Sequence, residues 1–255
     1  MPLPALAYGI ESDCSLQAVD YELSLNGIKA RISISGESLS ISSPLIGTFN
    51  LYNILAAAGA SSILHIPPVL IKSGIENLSR VPGRLESVKS NSGFHVFVDY
   101  AHTDDALRRV LQNLAAFKKK RIITVFGCGG NRDRGKRPLM GEAAVSYSDL
   151  TIVTSDNPRL EDPAAIIREI EAGIDQKKIN KIELDQLKMM NGVHSYAVIP
   201  DRKKAIEAAI SIAGMADIVL IAGKGHEDYQ IMGTRKMPFD DRIMAEHALK
   251  VRSLK

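Results

Sequence analysis

The sequence predicts an α/β fold: a doubly wound, mostly parallel sheet at residues 81–255, preceded by a partial α+β segment at residues 1–80. Two observations support this division. After a proline-glycine break at Val81 to Glu86, short β-favouring apolar runs alternate regularly with helical patterns, which is typical of parallel sheets. Before the break, strand patterns follow one another with apolar and polar residues alternating, which indicates antiparallel pairing.

Residues 1 to about 46 are predicted to be antiparallel β structure. Residues 21–25 and 28–34 alternate like paired strands, and Asn26-Gly27 between them is a preferred two-residue hairpin turn. So small a sheet cannot cover both of its faces, so we expect it to be the end of a larger domain. Helices are predicted to follow at residues 47–60 and 67–78.

Beyond the break, strands and helices alternate in the order that crossover connections require. Pro138 is expected at the first position of its helix, because its fixed φ suits that place. Asp201 and Asp240 are expected to cap helices, and residues 229–238 read as a hairpin with Gly233-Thr234 as its turn. The predicted strands are residues 95–100, 121–126, 151–155, 196–199 and 217–222, and the predicted helices are residues 103–117, 139–147, 163–174, 201–213 and from 240 onward.

Composition excludes several classes of protein. The 255 residues are 45% apolar and 24% charged, which is ordinary for a globular protein. The net charge of +3 comes from scattered charges, so no nucleic-acid partner is expected. Two cysteines cannot build a disulfide framework, which indicates a cytoplasmic protein. No apolar run is long enough for membrane insertion.

The segment from Gly127 to Pro138 reads as strand, glycine loop and helix, a shape suited to binding a phosphate or a carboxylate. Gly130, Gly135 and Lys136 have the spacing of a nucleotide P-loop, but Arg137 occupies the position of the hydroxyl residue that ligates magnesium. We therefore predict an anionic-substrate loop, with a solvated basic turn as the alternative. Its cations are Arg132, Arg134, Lys136 and Arg137.

Polar residues follow the carboxyl ends of four predicted strands, the edge where open α/β sheets bind ligands. They are Asp99 and His102, the glycine loop, Asp156-Asn157-Pro158-Arg159, and Gly223 to Asp228. Each one alone could be a turn, but together they predict a functional cluster. Asn50 and Asn53 lie one turn apart on the first helix, where helix capping is the alternative interpretation.

Together these motifs resemble the Mur ligase family, in particular its branch that adds the third residue of the peptidoglycan stem. The resemblance rests on Asp99-Tyr100-Ala101-His102-Thr103, Gly127 to Pro138, Asp156-Asn157-Pro158-Arg159 and Gly223-Lys224-Gly225-His226-Glu227. It implies a Rossmann-like C-terminal amino-acid domain at residues 81–255 and the end of the central ATPase domain at residues 1–80. The family's UDP-sugar domain, P-loop and main magnesium ligands would lie in a missing upstream part.

The resemblance also implies roles for single residues. No catalytic residue and no metal ligand is assigned within this sequence. The residues implied for binding meso-diaminopimelate are Arg132, Asp156, Asn157, Pro158, Arg159, Gly223 and Glu227. Those implied for binding ATP are Asn50, Asn53, Arg84, Asp99 and His102. For Arg159 the alternative is that it closes a turn or pairs with Glu161.

The implied activity is that of an ATP- and Mg²⁺-dependent carbon–nitrogen ligase joining meso-diaminopimelate to the UDP-MurNAc-dipeptide in peptidoglycan synthesis. We expect the chain to be inactive without the missing half, which would hold the phosphates. The alternative is a non-catalytic amino-acid-binding or partner module derived from such a ligase.

Overall fold

The computed structural model describes residues 5–10, 14–34, 36–89, 92–175, 178–183, 185–186 and 194–254. The chain divides into two compact units, Met1–Val81 and Pro82–Lys255. Among the described residues, no helix has both the length and the apolar character needed to cross a bilayer.

The first unit is a four-stranded sheet with two helices. The strands are β1 (Tyr8–Gly9), β2 (Leu16–Ser24), β3 (Gly27–Ile34) and β4 (Glu37–Ser43), and they pair in sequence order. The helices are α1 (Thr48–Ile63) and α2 (Pro68–Asn77). Apolar residues on one face of the sheet, such as Leu16, Ile28 and Ile32, pack with Leu51 and Leu55 of α1. Alternation along the strands therefore buries one face, as the sequence predicts.

The structure corrects two details of this unit. The pairs Leu23↔Ile28 and Ser24↔Gly27 place the hairpin turn at residues 25–26, one residue earlier than predicted. Gly27 belongs to β3, where its φ is 138° and an added Cβ would lie 2.3 Å from the Ser43 carbonyl oxygen, so glycine is needed for strand contact. β1 pairs parallel to β2, not antiparallel. Residues 1–4, 11–13 and 35 of the predicted β segment lie outside the described residues.

The second unit contains a seven-stranded sheet and a separate hairpin. The sheet strands are β5 (Glu86–Val88), β6 (His95–Asp99), β7 (Ile122–Phe126), β8 (Leu150–Val153), β9 (Asn180–Lys181), β10 (Ser195–Val198) and β11 (Ile218–Ala222). The hairpin is β12 (Tyr229–Met232) and β13 (Arg235–Pro238). The helices are α3 (Asp104–Ala115), α4 (Lys136–Tyr147), α5 (Pro163–Glu171), α6 (Arg202–Ile212) and α7 (Asp241–Ser253).

The sheet order is β5-β6-β11-β7-β8-β10-β9, and every pair is parallel except β5 with β6. The predicted doubly wound, mostly parallel sheet is confirmed. Helices α6 and α7 pack on one face, against alternate strand residues such as Val96, Val98 and Val219. The remaining residues of the same strands point to the other face, where α3, α4 and α5 lie side by side.

Both predicted helix caps are confirmed, because the side chains of Asp201 and Asp240 accept hydrogen bonds from backbone N–H groups at the starts of α6 and α7. Thr103, predicted as the first residue of its helix, is instead the cap of α3 and accepts from Ala106 N. Helix α4 begins at Lys136, two residues before the predicted start at Pro138. Proline is tolerated there because an N–H in the first helical turn has no partner to lose.

Candidate functional site

Three loops meet at the carboxyl edge of the sheet. They are the β7 loop (residues 127–135), the β8 loop (residues 154–162) and the β11 loop (residues 223–228). Gly130 N donates to Asn157 O at 2.8 Å, and Asn157 Nδ2 donates to Glu227 Oε2 at 2.9 Å. The loops carry the residues predicted to bind the amino acid: Arg132, Asp156, Asn157, Pro158, Arg159, Gly223 and Glu227.

The β7 and β8 loops approach each other too closely for side chains at two positions. A Cβ added to Gly127 would lie 2.2 Å from Thr154 O, and one added to Gly130 would lie 1.9 Å from Pro158 O. The glycines are thus required for loop-to-loop packing. This packing brings the β7 loop within hydrogen-bonding distance of the Asp156 to Arg159 segment.

A buried lysine, Lys224, lies at the centre of the three loops. Its side chain is fully buried, and Nζ donates to Asp156 Oδ1 at 3.2 Å, Asn157 Oδ1 at 3.2 Å and Glu227 Oε2 at 3.3 Å. Nζ also lies 5.6 Å from the centre of the Tyr229 ring. Burial of an ammonium is tolerated only where its donors find acceptors, and here each of the three N–H groups has one.

The carboxylate of Glu227 is anchored through one oxygen. Oε2 accepts from both Asn157 and Lys224, whereas Oε1 accepts from no residue in the described part of the chain. The side chain is 18% exposed, so solvent or a ligand can reach it. One oxygen is therefore held by the protein and the other is available to an ammonium group.

Arg159 is half-buried and, like Glu227, contacts Asn157. Its backbone N–H donates to Ile231 O at 3.1 Å, and its φ of 52° is in the left-handed region. Nη1 donates to Gly130 O at 2.8 Å and to Asn157 O at 3.4 Å. Nε and Nη2 donate to no described residue, so they can still meet a carboxylate side-on. Glu161, the partner that the alternative interpretation gives to Arg159, pairs with other arginines.

The structure departs most clearly from the predicted anionic-substrate loop at Arg137, which pairs with carboxylates of the protein. Its side chain is fully buried, with Nη1 2.9 Å from Glu161 Oε2 and 2.7 Å from Glu169 Oε2. Nη2 donates to Gly129 O at 3.2 Å, which ties α4 to its own loop. Arg134 also contacts Glu169, at 2.8 Å. These arginines neutralise carboxylates of the β8 loop and α5, and the buried Arg137 is not free to bind a ligand anion.

The other two cations of the predicted basic segment, Lys136 at the start of α4 and Arg132 in the β7 loop, are also used unequally. Lys136 Nζ donates to His102 O at 2.7 Å. Arg132 is exposed, and its Nη1 donates to the neighbouring Asn131 O at 3.1 Å. Of the four basic residues in the segment from Gly127 to Pro138, Arg132 is therefore the one best placed to meet an anion.

The buried pairs of Arg137 predict an acid-dependent loss of stability. Its hydrogen bonds to Glu161, helped by the Asn131 N–H, lower the pKa of Glu161 from 4.5 to about 2. The unfolded chain then binds the proton more tightly, so the stabilisation is complete above pH 4.5 and is lost as pH falls towards about 2. Melting temperatures measured from about pH 5 to about pH 3 should fall less steeply for Glu161→Gln than for the unmutated chain.

Glu207→Gln is the matched control for this acid titration, because the Glu207 side chain is 40% exposed and lies 3.9 Å from Lys203 in a surface pair. Its melting temperature should depend on pH as that of the unmutated chain does, since exposed pairs contribute little. Equal slopes for Glu161→Gln and the unmutated chain would contradict the assignment.

Among the predicted ATP residues, Asp99 is buried and bonded to backbone. Its Oδ2 accepts from Leu85 N and its Oδ1 from Ala101 N, both at 2.8 Å. Burial raises the pKa of Asp99, and these two hydrogen bonds and the charge of Arg84 oppose the rise. Leu85 has a φ of 42°, so Asp99 stabilises a strained turn. The exposed Arg84 projects from that turn and can reach a ligand.

His102 is exposed and belongs to an aromatic group at the same edge. Its Nδ1 lies 2.8 Å from Tyr100 O. The Tyr100 ring lies 4.4 Å from the ring of His102 and 4.9 Å from that of His226, between ring centres. Sequence reasoning named His102 for ATP but gave no role to Tyr100, because nothing in a single sequence indicates that its ring lies between two histidines.

Asn50 and Asn53 lie within the first unit. Both are inside α1, and the cap position is Gly47, so the helix-capping interpretation is wrong. Asn50 is fully buried and donates to Ile46 O at 2.8 Å, and Asn53 Nδ2 donates to Asn50 Oδ1 at 3.3 Å. Asn53 is exposed, so it is the member of the pair that a ligand could contact.

The structure also shows contacts that the sequence did not predict. Lys224 belongs to the predicted Gly223 to Asp228 segment but was given no role of its own, and Gln230, whose Nε2 donates to Asp156 O at 2.6 Å, was not named at all. Both residues have polar or glycine neighbours in the sequence, and such neighbours do not show whether a polar side chain is buried or solvated. The described residues contain no group of three or more His, Cys, Asp or Glu that could hold a metal ion.

Comparison with known proteins gives matches along nearly the whole chain. The family model described as "Mur ligase, glutamate ligase domain" matches residues 83–225, and that described as "Mur ligase middle domain" matches residues 2–61. Proteins of Geobacter metallireducens and Geobacter sulfurreducens, both named UDP-N-acetylmuramoyl-L-alanyl-D-glutamate--2,6-diaminopimelate ligase, are each 48% identical to it. These alignments cover 94% and 97% of this chain and 47% and 48% of the relatives.

A solved structure of a UDP-N-acetylmuramoyl-L-alanyl-D-glutamate--2,6-diaminopimelate ligase is also similar. It has a TM-score of 0.68 and 35% identity, over 97% of this chain and 48% of the other. The chain thus spans about half the length of the curated relatives it matches. The glutamate ligase domain model alone matches more than half of the chain, and the chain therefore belongs to the Mur ligase family.

Proposed function

We propose that this chain is the amine-side part of a MurE-type ligase, the ATP-dependent enzyme that joins meso-diaminopimelate to UDP-MurNAc-L-Ala-D-Glu in peptidoglycan synthesis. One observation supports this most directly. Asn157 contacts both Glu227, which has an available carboxylate oxygen, and Arg159, whose Nε and Nη2 have no partner among the described residues. A carboxylate next to a guanidinium matches a ligand centre that carries both an ammonium and a carboxylate.

The chemistry of the ligand explains the choice of substrate. Diaminopimelate has an ammonium and a carboxylate at its far end, whereas lysine has the ammonium alone. Lysine would satisfy Glu227 but would leave the guanidinium of Arg159 desolvated and without an anion. A site that leaves a buried polar group unpaired rejects the wrong ligand strongly, so we expect marked selectivity for diaminopimelate.

We further propose roles for the two units. Residues 1–80 correspond to the end of the central ATPase domain and residues 81–255 to the C-terminal amino-acid domain of the family. The exposed Asn53, Arg84 and His102 fit contacts to ATP, whereas Asn50 and Asp99 would act through the backbone they hold. When bound, ATP and Mg²⁺ supply activation of the peptide carboxylate. The residues of this chain orient the amine that attacks it.

The experiment is titration calorimetry of this chain with meso-diaminopimelate and, separately, with L-lysine. We expect binding of diaminopimelate and at least about a hundredfold weaker binding of lysine, as for sites that lose a charged partner. Equal affinity for the two would contradict the proposal. Binding of diaminopimelate by this chain, without ligation when it is joined to the upstream half of the Geobacter sulfurreducens relative, would favour the non-catalytic module.

A further inference from the structure

We propose that Lys224 is a positioning residue that sets the selectivity of this site for a ligand ammonium, by fixing one oxygen of Glu227 and leaving the other to the ligand. This inference rests on the proposed function, because it concerns the same site. Lys224 is not among the residues predicted to bind the ligand, whereas Glu227, whose carboxylate it fixes, is one of them.

The local backbone directs Lys224 inward. Gly223 and Gly225 on either side of it have φ values of 112° and 53°, which residues with side chains rarely adopt. A Cβ on Gly225 would lie 2.6 Å from that of Tyr100, so the turn packs tightly against the end of β6. Glu227 N donates to Lys224 O at 2.9 Å, which closes the turn. The β11 loop thus buries Lys224 while Glu227 remains partly exposed.

Lys224 does not bind the ligand directly in this arrangement. Its side chain is fully buried, and its three donors are taken by oxygens of Asp156, Asn157 and Glu227. A ligand carboxylate could reach Nζ only by displacing one of these acceptors and opening the cluster. Lys224 therefore acts on the ligand through the groups that it holds.

The charges of the cluster explain why an ammonium is selected. Two carboxylates, Asp156 and Glu227, share the single positive charge of Lys224, so the cluster is left with one negative charge. Arg202 beneath it is already paired with Asp241 at 2.7 Å. A ligand ammonium at Glu227 Oε1 would neutralise the remaining charge.

Lys224 also fixes which oxygen is available. Glu227 Oε2 accepts from Lys224 Nζ and from Asn157 Nδ2, and the Oδ1 of Asn157 accepts from Nζ and from Ile231 N at 2.9 Å. The Glu227 carboxylate is thus held in one orientation before any ligand arrives. Such preorganisation avoids the entropic cost of ordering the side chain on binding.

The test compares two ligands that differ at the ammonium. One is meso-diaminopimelate, and the other is α-aminopimelate, which has both carboxylates but lacks the distal ammonium. Calorimetry with the chain gives the ratio of the dissociation constant of α-aminopimelate to that of diaminopimelate. We expect Lys224→Met to weaken diaminopimelate binding by at least about tenfold, because loss of the fixed Glu227 orientation outweighs the extra negative charge left in the cluster. Binding of α-aminopimelate, which makes no ammonium contact there, should change less, so that the ratio falls. A merely structural role would weaken both ligands together and leave the ratio unchanged.

Two further variants complete the design. Lys236→Met is the matched control, since Lys236 Nζ lies 3.8 Å from the centre of the same Tyr229 ring but the residue is exposed. It should leave the ratio unchanged. If Lys224→Met does not fold, the double variant Lys224→Met/Asp156→Asn can be used, because it removes one charge of each sign. The ratio of its two dissociation constants tests the role of Lys224 in the same way.

The outcomes separate the two claims. If the unmutated chain prefers diaminopimelate and the Lys224 variants keep that preference, the proposed role of Lys224 is wrong and the proposed function still stands. An unmutated chain with no preference for diaminopimelate over α-aminopimelate would overturn the ammonium subsite itself and the proposed function with it.

Discussion

Replacement of Arg159 by alanine should lower kcat/KM for meso-diaminopimelate by roughly 30-fold to 4,000-fold. This corresponds to about 2–5 kcal/mol of lost transition-state stabilisation, as expected for loss of one member of a buried charge pair. The reason is that Nε and Nη2 of Arg159 are the donors left for the distal carboxylate, while Nη1 is bound to Gly130 O. Activity is to be measured with this chain joined to the upstream half of the Geobacter sulfurreducens relative. The affinity for ATP should change little.

Two controls separate charge from loop geometry in this experiment. Arg159→Lys keeps the charge but cannot offer a planar pair of donors, so we expect it to recover only a minor part of the loss. Leu160→Ala changes the next residue, which is 72% exposed, and should behave as the unmutated assembly does. Full activity of Arg159→Ala with diaminopimelate, or efficient use of lysine by the unmutated assembly, would show that the ligand is held in another way.

Replacement of Arg202 by methionine should reduce the free energy of unfolding of the second unit by about 3–5 kcal/mol, as for other buried ion pairs that lose one partner. Arg202 and Asp241 are both fully buried, with Nη2 2.7 Å from Oδ2 and Nε 2.8 Å from Oδ1. Without the guanidinium, the Asp241 carboxylate would be left in the core without its counter-charge. Nη2 also donates at 2.9 Å to the carbonyl oxygen of Ala222, the last residue of β11.

Urea unfolding followed by hydrogen exchange at residues 82–255 measures this effect in the full chain. Lys203→Met is the matched control, because Lys203 is the next residue of α6 and its pair with Glu207 is exposed; it should cost less than about 1 kcal/mol. The double variant Arg202→Met/Asp241→Leu should recover much of the loss, since it removes the unpaired charge. A double variant less stable than Arg202→Met would contradict the explanation.

The sequence predicts the architecture of the second unit well because local signals determine it. Asp201 and Asp240 precede helical patterns and do cap helices. Apolar runs such as residues 122–126 form buried strands, since alternation with helices leaves a parallel sheet as the simple solution. Where local signals were weak, as in the short edge strand β5, no strand was predicted.

The pairing of charges could not be predicted in the same way. Lys224 bonds to Asp156, 68 residues away, and Arg137 to Glu161, 24 residues away. Both contacts depend on how three loops pack, which no periodicity encodes. Arg137 and Arg132 are both arginines of one basic loop, yet one is buried and the other is exposed. Charge and spacing alone therefore indicated an anion-binding loop without showing which cation is free.

The strand order has a consequence for synthesis of the chain on the ribosome. β11, residues 218–222, is inserted between β6 and β7, which end at residues 99 and 126. Those two strands emerge long before their shared neighbour, so each keeps an unpaired edge while roughly a hundred further residues are made. The central strand completes the sheet last. A nascent chain stalled before residue 218 would expose both edges, and these edges are the natural place for a chaperone or a second chain to bind.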